Sequence, residues 1–212
     1  MTNNFNFIYM KTGKLFLALC LGFLCACNQP STNEEVVNES SEDVQKDWVS
    51  IEANELKNPY DICKNAMALS VASQDEHNAM AIGWASFGSF LNKPTVTVYV
   101  SKDRYTHELI EKSQYFTISC FDEAHTSNLM YLGSNSGRDD KNKIESAGLS
   151  YKLTELGNIC INESELCIEC KIIYKADLNE NALDADAAKF YEEHPMGIHT
   201  MYIGEIVNIW KK

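Results

Sequence analysis

The stretch Asn78–Ser101, NAMAIGWASFGSFLNKPTVTVYVS, constrains the fold more than any other part of the chain. It reads as two apolar β-strands joined by a short loop. Met80, Ile82 and Trp84 alternate with smaller residues, and Gly83, Ala85, Ser86 and Gly88 then thin out the side chains. After the Asn92-Lys93-Pro94 break, Thr95 to Val100 alternates Thr, Val and Tyr, a strong strand pattern. A strand that loses bulk at Gly83, Ala85 and Gly88 leaves its backbone open to something lying against it. A bulge or a barrel corner accounts for the same glycines equally well.

The amino end does not read as part of a folded core. Lys11 and Lys14 precede the apolar run LFLALCLGFLCAC, too short for a membrane span and flanked as a secretory leader is, with Met10 as the expected initiator. Leu24-Cys25-Ala26-Cys27 resembles a bacterial lipobox. Residues 1–27 are therefore expected to be a lipoprotein signal peptide, with Cys27 the lipidated first residue after cleavage and the product anchored in a membrane on the periplasmic or cell-surface side. Residues 28–47 are polar and acidic with almost no aromatic side chains, which predicts a flexible spacer. The folded domain is expected over 48–212, a length suited to one core. Removing two lysines and no acid takes the net charge from −12 to −14, which disfavours nucleic acid as a partner.

Export changes how the cysteines read. Cys63, Cys120, Cys160, Cys167 and Cys170 remain, an odd number, so at least one stays unpaired within a monomer. Cys167 and Cys170 sit in ELCIECKIIY, which reads as a strand, and residues three apart on a strand face opposite sides. Buried thiols, or one bridge such as Cys160 with Cys167 or Cys170, are expected rather than a metal or redox pair.

Along the rest of the chain, Ala66–Ser73 predicts the first core strand and Gln74–Asn78 the turn after it. KDRYTHELIEKS predicts a helix with Thr106 as its N-cap, and Tyr115–Phe121 a strand. His125–Leu132 predicts a short helix, followed by the loop GSNSGRDDKNK. Leu166–Leu178 predicts a long strand or a hairpin, Leu183–Glu193 an acidic helix, and Thr200 onward a terminal strand. Strands outnumber helices with no βαβ rhythm, so the fold class is mainly β (α+β): a closed or nearly closed antiparallel barrel with helical insertions.

Chemistry-bearing residues fall at three places. Arg104, Tyr105 and Thr106 stand at a predicted helix start, where free N–H groups and a guanidinium suit a phosphate; a solvated arginine and an ordinary cap explain them too. Ser134, Ser136, Gly137, Arg138, Lys141 and Lys143 gather in a loop able to wrap an anion or simply to lie on the surface. His199 precedes the terminal strand. There is no Walker pattern, G-x-S-x-G or H-E-x-x-H, and no histidine spacing that suggests a metal site, so hydrolase chemistry is disfavoured.

NAMAIGWASFG, KPTVTVYV, DRYTHELIEKSQYFTIS, LGSNSGRDDKNKIESAGL and HTMYIGEI, in that order, resemble the flavin reductase-like family. The resemblance runs from about Trp48 to Trp210. It implies a homodimeric split β-barrel with one FMN per subunit near the dimer interface. Asn78, Gly83, Trp84, Ala85 and Ser86 would line the ring and ribityl chain, Arg104, Tyr105 and Thr106 with Lys143 or Lys141 would hold the phosphate, and His199 would approach the ring. The loop carries one residue more than the family pattern before Lys-Ile, which leaves the choice of lysine open. The implied activity is an FMN-dependent oxidoreductase passing hydride or electrons between a donor, NAD(P)H among the candidates, and flavin. No acid–base dyad is required, because the cofactor supplies the reactivity. The alternative is a non-catalytic flavin-binding or electron-carrier lipoprotein without a nicotinamide site.

Overall fold

The computed structural model describes residues 48–56, 58, 67–73, 76–194 and 196–212. The expected leader, lipidated Cys27, spacer and Cys63 lie outside these residues.

Chain order runs β1 (Val49–Ser50), β2 (Met67–Ser73), β3 (Glu76–Ile82), β4 (Ala85–Phe90), β5 (Lys93–Ser101), α1 (Tyr105–Ile110), β6 (Tyr115–Cys120), α2 (Thr126–Ser134), α3 (Lys143–Ser146), β7 (Tyr151–Leu153), β8 (Ile159–Ile161), β9 (Leu166–Asp177), α4 (Ala185–Glu193) and β10 (His199–Lys211). One sheet has the order β3-β2-β6-β9-β10-β5-β4, with β1 added beside β10, and every pairing in it is antiparallel. β7 and β8 form a separate hairpin. The fold class is the expected one, but the sheet is not closed, because its two end strands do not pair.

Those ends are β3 and β4, which follow each other in sequence with only Gly83 and Trp84 between them. Two intervening residues span at most about 10 Å, so the sheet curls until its free edges nearly meet at Trp84. The split of the barrel is therefore at Gly83-Trp84. The expected single strand through Met80, Ile82 and Trp84 is two strands on opposite edges. Tyr99 N donates to Trp84 O at 3.3 Å, which fixes the junction against β5.

Several local expectations are corrected. Glu76–Asn78 belong to β3 and not to a turn; their side chains bond to distant elements instead of closing a local loop. The break between β4 and β5 is Leu91-Asn92, both with positive φ (52° and 60°), the two-residue hairpin geometry that matches strand twist. Pro94 lies inside β5, tolerated because the β10 pairing begins at Thr95. Arg104, not Thr106, caps α1.

The core fills the inside of the curled sheet with Leu69, Val96, Val98, Phe116, Ile118, Ile168 and Tyr202, all fully buried. A second cluster, Leu129, Leu132, Ile144, Ile159 and Ile161 among them, packs α2, α3 and β8 on the outside of β2 and β3. Cys160, Cys167 and Cys170 are buried free thiols. Cys167 packs with Cys160, Trp48 and Trp210, whereas Cys170 faces the main core, as strand alternation requires. Burial raises both the Cys167 and the Cys170 thiol well above the usual range.

β10 bends at two register shifts, Ile203/Gly204 and Ile206/Asn208. At Gly204 a Cβ would come within 2.6 Å of Phe116 Cε1 and 2.7 Å of Cys170 Cβ. Gly204→Ala is expected to destabilise the domain by about 1–3 kcal/mol, the usual cost of overpacking a filled core, read as a lower urea midpoint with an unchanged slope.

Candidate functional site

Two clefts adjoin along the split. The first, about 130 Å³, lies between the start of α1, Asn78 and Met80 of β3, and the loop after α2; Arg104, Thr106, Gly137, Arg138 and Lys143 complete its wall. The second, about 230 Å³, opens beside Gly83 and Trp84 and is walled by Met80, Tyr99, Phe190, Met196 and His199. Met80 and Arg104 border both.

The first cleft is basic in an acidic protein. Lys143 opens α3 and is 4% exposed. Burial, with the Arg104 charge second, pushes its ammonium down to about 8, while Asp140 pulls weakly the other way. It makes no ion pair among the described residues. Arg104 donates Nη1 to the Gly133 carbonyl at 3.2 Å and is likewise without a carboxylate partner there. Asn78 is buried and donates Nδ2 to Thr106 Oγ1 at 2.8 Å, and its Oδ1 has no hydrogen-bond partner among the described residues. A nearly buried ammonium with no ion pair among the described residues, beside the exposed Arg104 guanidinium, suits an anionic ligand.

Lys141 is engaged elsewhere, and Arg138, though in the cleft wall, is paired with Glu108. Lys141 Nζ bonds Glu76 Oε1 at 3.2 Å and Tyr105 OH at 3.0 Å, and it is not in the wall of either cleft. Tyr105 OH also donates to Glu76 at 2.8 Å. The Tyr105 and Lys141 hydrogen bonds hold the Glu76 carboxyl below its usual range, and the same Tyr105 and Glu76 contacts raise Lys141. Of the two lysines the resemblance left open, Lys143 faces the cleft.

The second cleft is aromatic. Trp84, 36% exposed, lies 4.5 Å from the His199 ring and 5.8 Å from Phe190, centroid to centroid. His199 is buried, and its Nδ1 is 2.9 Å from Tyr191 OH. Desolvation, with Arg104 second, lowers the imidazole pKa below its usual range, so the ring is neutral at pH 7. A flat apolar ring finds here an indole face, a neutral imidazole and the thin backbone at Gly83, where a Cβ would meet nothing within 4 Å.

The structure thus brings Asn78, Gly83, Trp84, Arg104, Tyr105, Thr106, Lys143 and His199 to two adjoining clefts. Ala85 and Ser86 are outside both walls, running on into β4 beside Val98 and Thr97 of β5. Phe190, Tyr191 and Met196 were not read as site residues. The sequence signal for Phe190 and Tyr191 is an aromatic pair on an acidic helix, Ala185–Glu193, and Met196, beyond that helix, has none.

The family described as "Flavin reductase like domain" matches residues 62–212. The chain belongs to the flavin reductase-like family. No curated protein matches it. Among solved structures, this flavin reductase-like chain is similar to an FMN-binding domain of a flavin reductases-like enzyme from Shewanella baltica OS155 (23% identity, 77% of this chain and 76% of that one, TM-score 0.58). It is also similar to the flavoredoxin of Desulfovibrio vulgaris (Miyazaki F) (25% identity, 70% and 69%, TM-score 0.55). A third is an NADH:FAD oxidoreductase of Streptomyces globisporus (17% identity, 70% and 75%, TM-score 0.55). These likenesses fit the fold, an antiparallel sheet curled but left open.

Proposed function

We propose that this flavin reductase-like domain binds one FMN along the two clefts and works as an FMN-dependent oxidoreductase. The observation that carries the reading is Lys143: a buried ammonium with no carboxylate partner among the described residues, beside Arg104, in a cleft that adjoins an aromatic one. An ionised phosphate would satisfy both cations, and Asn78 and Thr106 offer it or its neighbouring hydroxyls polar contacts. Trp84 and neutral His199, packed against each other, would together offer a ring one side to lie against, and α4 with Phe190 would keep water from it. When bound, FMN supplies the redox chemistry, accepting a hydride or electrons from a donor and handing them on. The protein's part is orientation and exclusion of water, for which no acid–base pair is needed.

The test is the visible absorption spectrum of the purified soluble domain after incubation with FMN and gel filtration; flavin bands that remain with the protein support the reading, and a colourless protein removes it. Trp84→Ala is expected to weaken FMN binding by about tenfold, the upper range for one aromatic stacking contact, measured by flavin fluorescence quenching.

A second reading is a flavin-binding electron carrier without nicotinamide turnover. It is favoured by Phe190 and Met196, which already cover part of the cleft beside Trp84. NAD(P)H oxidation with added FMN separates the two, since a carrier retains flavin but shows no turnover. The similar NADH:FAD oxidoreductase, by its name, uses the nicotinamide donor that the first reading requires. The same proposal includes a homodimer, checked by sedimentation, and export with membrane anchoring through lipidated Cys27, checked by mass spectrometry of the mature amino terminus.

A further inference from the structure

The outer end of the basic cleft is shut by its own loop. Gly137 lies so close to β3 and α1 that a Cβ there would stand 2.4 Å from Asn78 Oδ1 and 2.9 Å from Tyr105 Cδ1. Nothing passes between the loop and those two residues. The next residue, Arg138, crosses from the loop to α1. Its Nη1 donates to the Asp103 carbonyl at 3.1 Å, its Nε to Glu108 Oε1 at 3.0 Å, and its Nη2 bonds the same carboxylate oxygen. The guanidinium carbon sits 5.6 Å from the Tyr105 ring centroid. Lys141, 4.7 Å from the same centroid and bonded to Glu76, pins the loop on the β3 side. No residue of this loop is in the wall of the aromatic cleft.

A ligand entering with its ring beside Trp84 and its anion beside Lys143 therefore runs into Gly137 and Arg138 directly after the anion. We propose that Gly137 and the Arg138–Glu108 strap end the site at one terminal monophosphate, so that it selects FMN and rejects the dinucleotide FAD, whose adenylate half needs the space the strap occupies. The inference rests on the FMN reading above. It is selection by obstruction: the strap adds nothing to FMN but must be broken for the longer cofactor.

The experiment titrates the full chain, stripped of flavin, with FMN and with FAD, following flavin fluorescence, in the native protein and in Arg138→Ala and Glu108→Ala. Glu108 is outside the cleft wall, so its variant opens the strap without removing a wall residue, and thermal unfolding of each variant shows whether the fold is retained. The native protein should bind FMN at least tenfold tighter than FAD. Each variant should narrow that ratio by roughly three- to tenfold through a gain in FAD affinity, the scale of an exposed ion pair with an added carbonyl contact. Equal affinity of the native protein for both flavins overturns the inference. An equal loss of FMN and FAD in Arg138→Ala, with Glu108→Ala unchanged, also overturns it, because Arg138 would then be a phosphate ligand and not a strap. Binding of neither flavin to the native protein removes the FMN reading and this inference with it, a result distinct from both of those.

Discussion

Lys143→Met is expected to weaken FMN binding by about 30- to 100-fold, the loss of one charge-assisted contact to a desolvated anion. The same substitution is expected to raise, not lower, the urea midpoint of the flavin-free protein. In that state the native side chain is a nearly buried cation, repelled by Arg104 and only weakly attracted by Asp140, so an apolar chain of similar length removes a cost. Opposite signs for binding and apo stability distinguish an anion site from a structural lysine, which would lose stability and binding together. The pH dependence follows from the depressed pKa, about 8 in the folded protein against an ordinary 10.5. Between those values the unfolded chain binds more protons than the folded one, so the stability of the flavin-free protein rises with pH across that window. FMN affinity moves the other way. Above about pH 8 the free protein loses the ammonium that the phosphate needs, and binding must take up a proton, so log Kd climbs toward one unit per pH unit. Lys143→Met removes both trends. Isothermal titration in buffers of different ionisation enthalpy reads the proton uptake directly.

How much of this was legible in the sequence varied with how local the cause was. Thr95–Val100 was readable because its alternation is the burial pattern of a strand with one face inward. Glu76–Asn78 was misread as a turn for an equally physical reason. Three polar residues in a row look like a loop, but each has a partner far along the chain: Glu76 with Tyr105 and Lys141, His77 with Tyr151, Asn78 with Thr106. Tertiary hydrogen bonds override a local propensity whenever the polar group is satisfied elsewhere. The split at Gly83-Trp84 was present as a glycine followed by a large aromatic residue, but only the strand order shows that the flanking strands occupy opposite edges. Choosing Lys143 over Lys141 required knowing where α3 begins, since the helix start turns Lys143 inward and leaves Lys141 to reach Glu76. The family resemblance supplied a list of site residues. It did not supply the wall built by Phe190 and Met196, which α4 and the segment after it bring to Trp84.

Glu169 went unread as a structural residue, although an acid inside the apolar run LCIEC is the sort of residue that must have partners. It is fully buried on β9. Its carboxyl accepts from Thr154 Oγ1 at 2.5 Å, Asn158 Nδ2 at 2.7 Å and Asn208 Nδ2 at 2.6 Å. Thr154 and Asn158 belong to the turn between β7 and β8, and Asn208 to β10 beside its second register shift. One side chain thus fastens the outer hairpin and the bend of the longest strand to the same point. Glu169→Ala would leave three donors facing a cavity, with a cost of about 3–5 kcal/mol, a large fraction of the roughly 5–15 kcal/mol that holds a domain folded. Glu169→Gln should fall between native and alanine, because one oxygen is kept while the new NH₂ meets a donor. Urea unfolding of the three proteins tests this order. If alanine costs no more than glutamine, the three hydrogen bonds do not carry the seam, and packing of β8 through Ile159 and Ile161 must hold the hairpin in place. The prediction is independent of flavin: added FMN should shift all three unfolding curves by similar amounts, since Glu169 borders neither cleft.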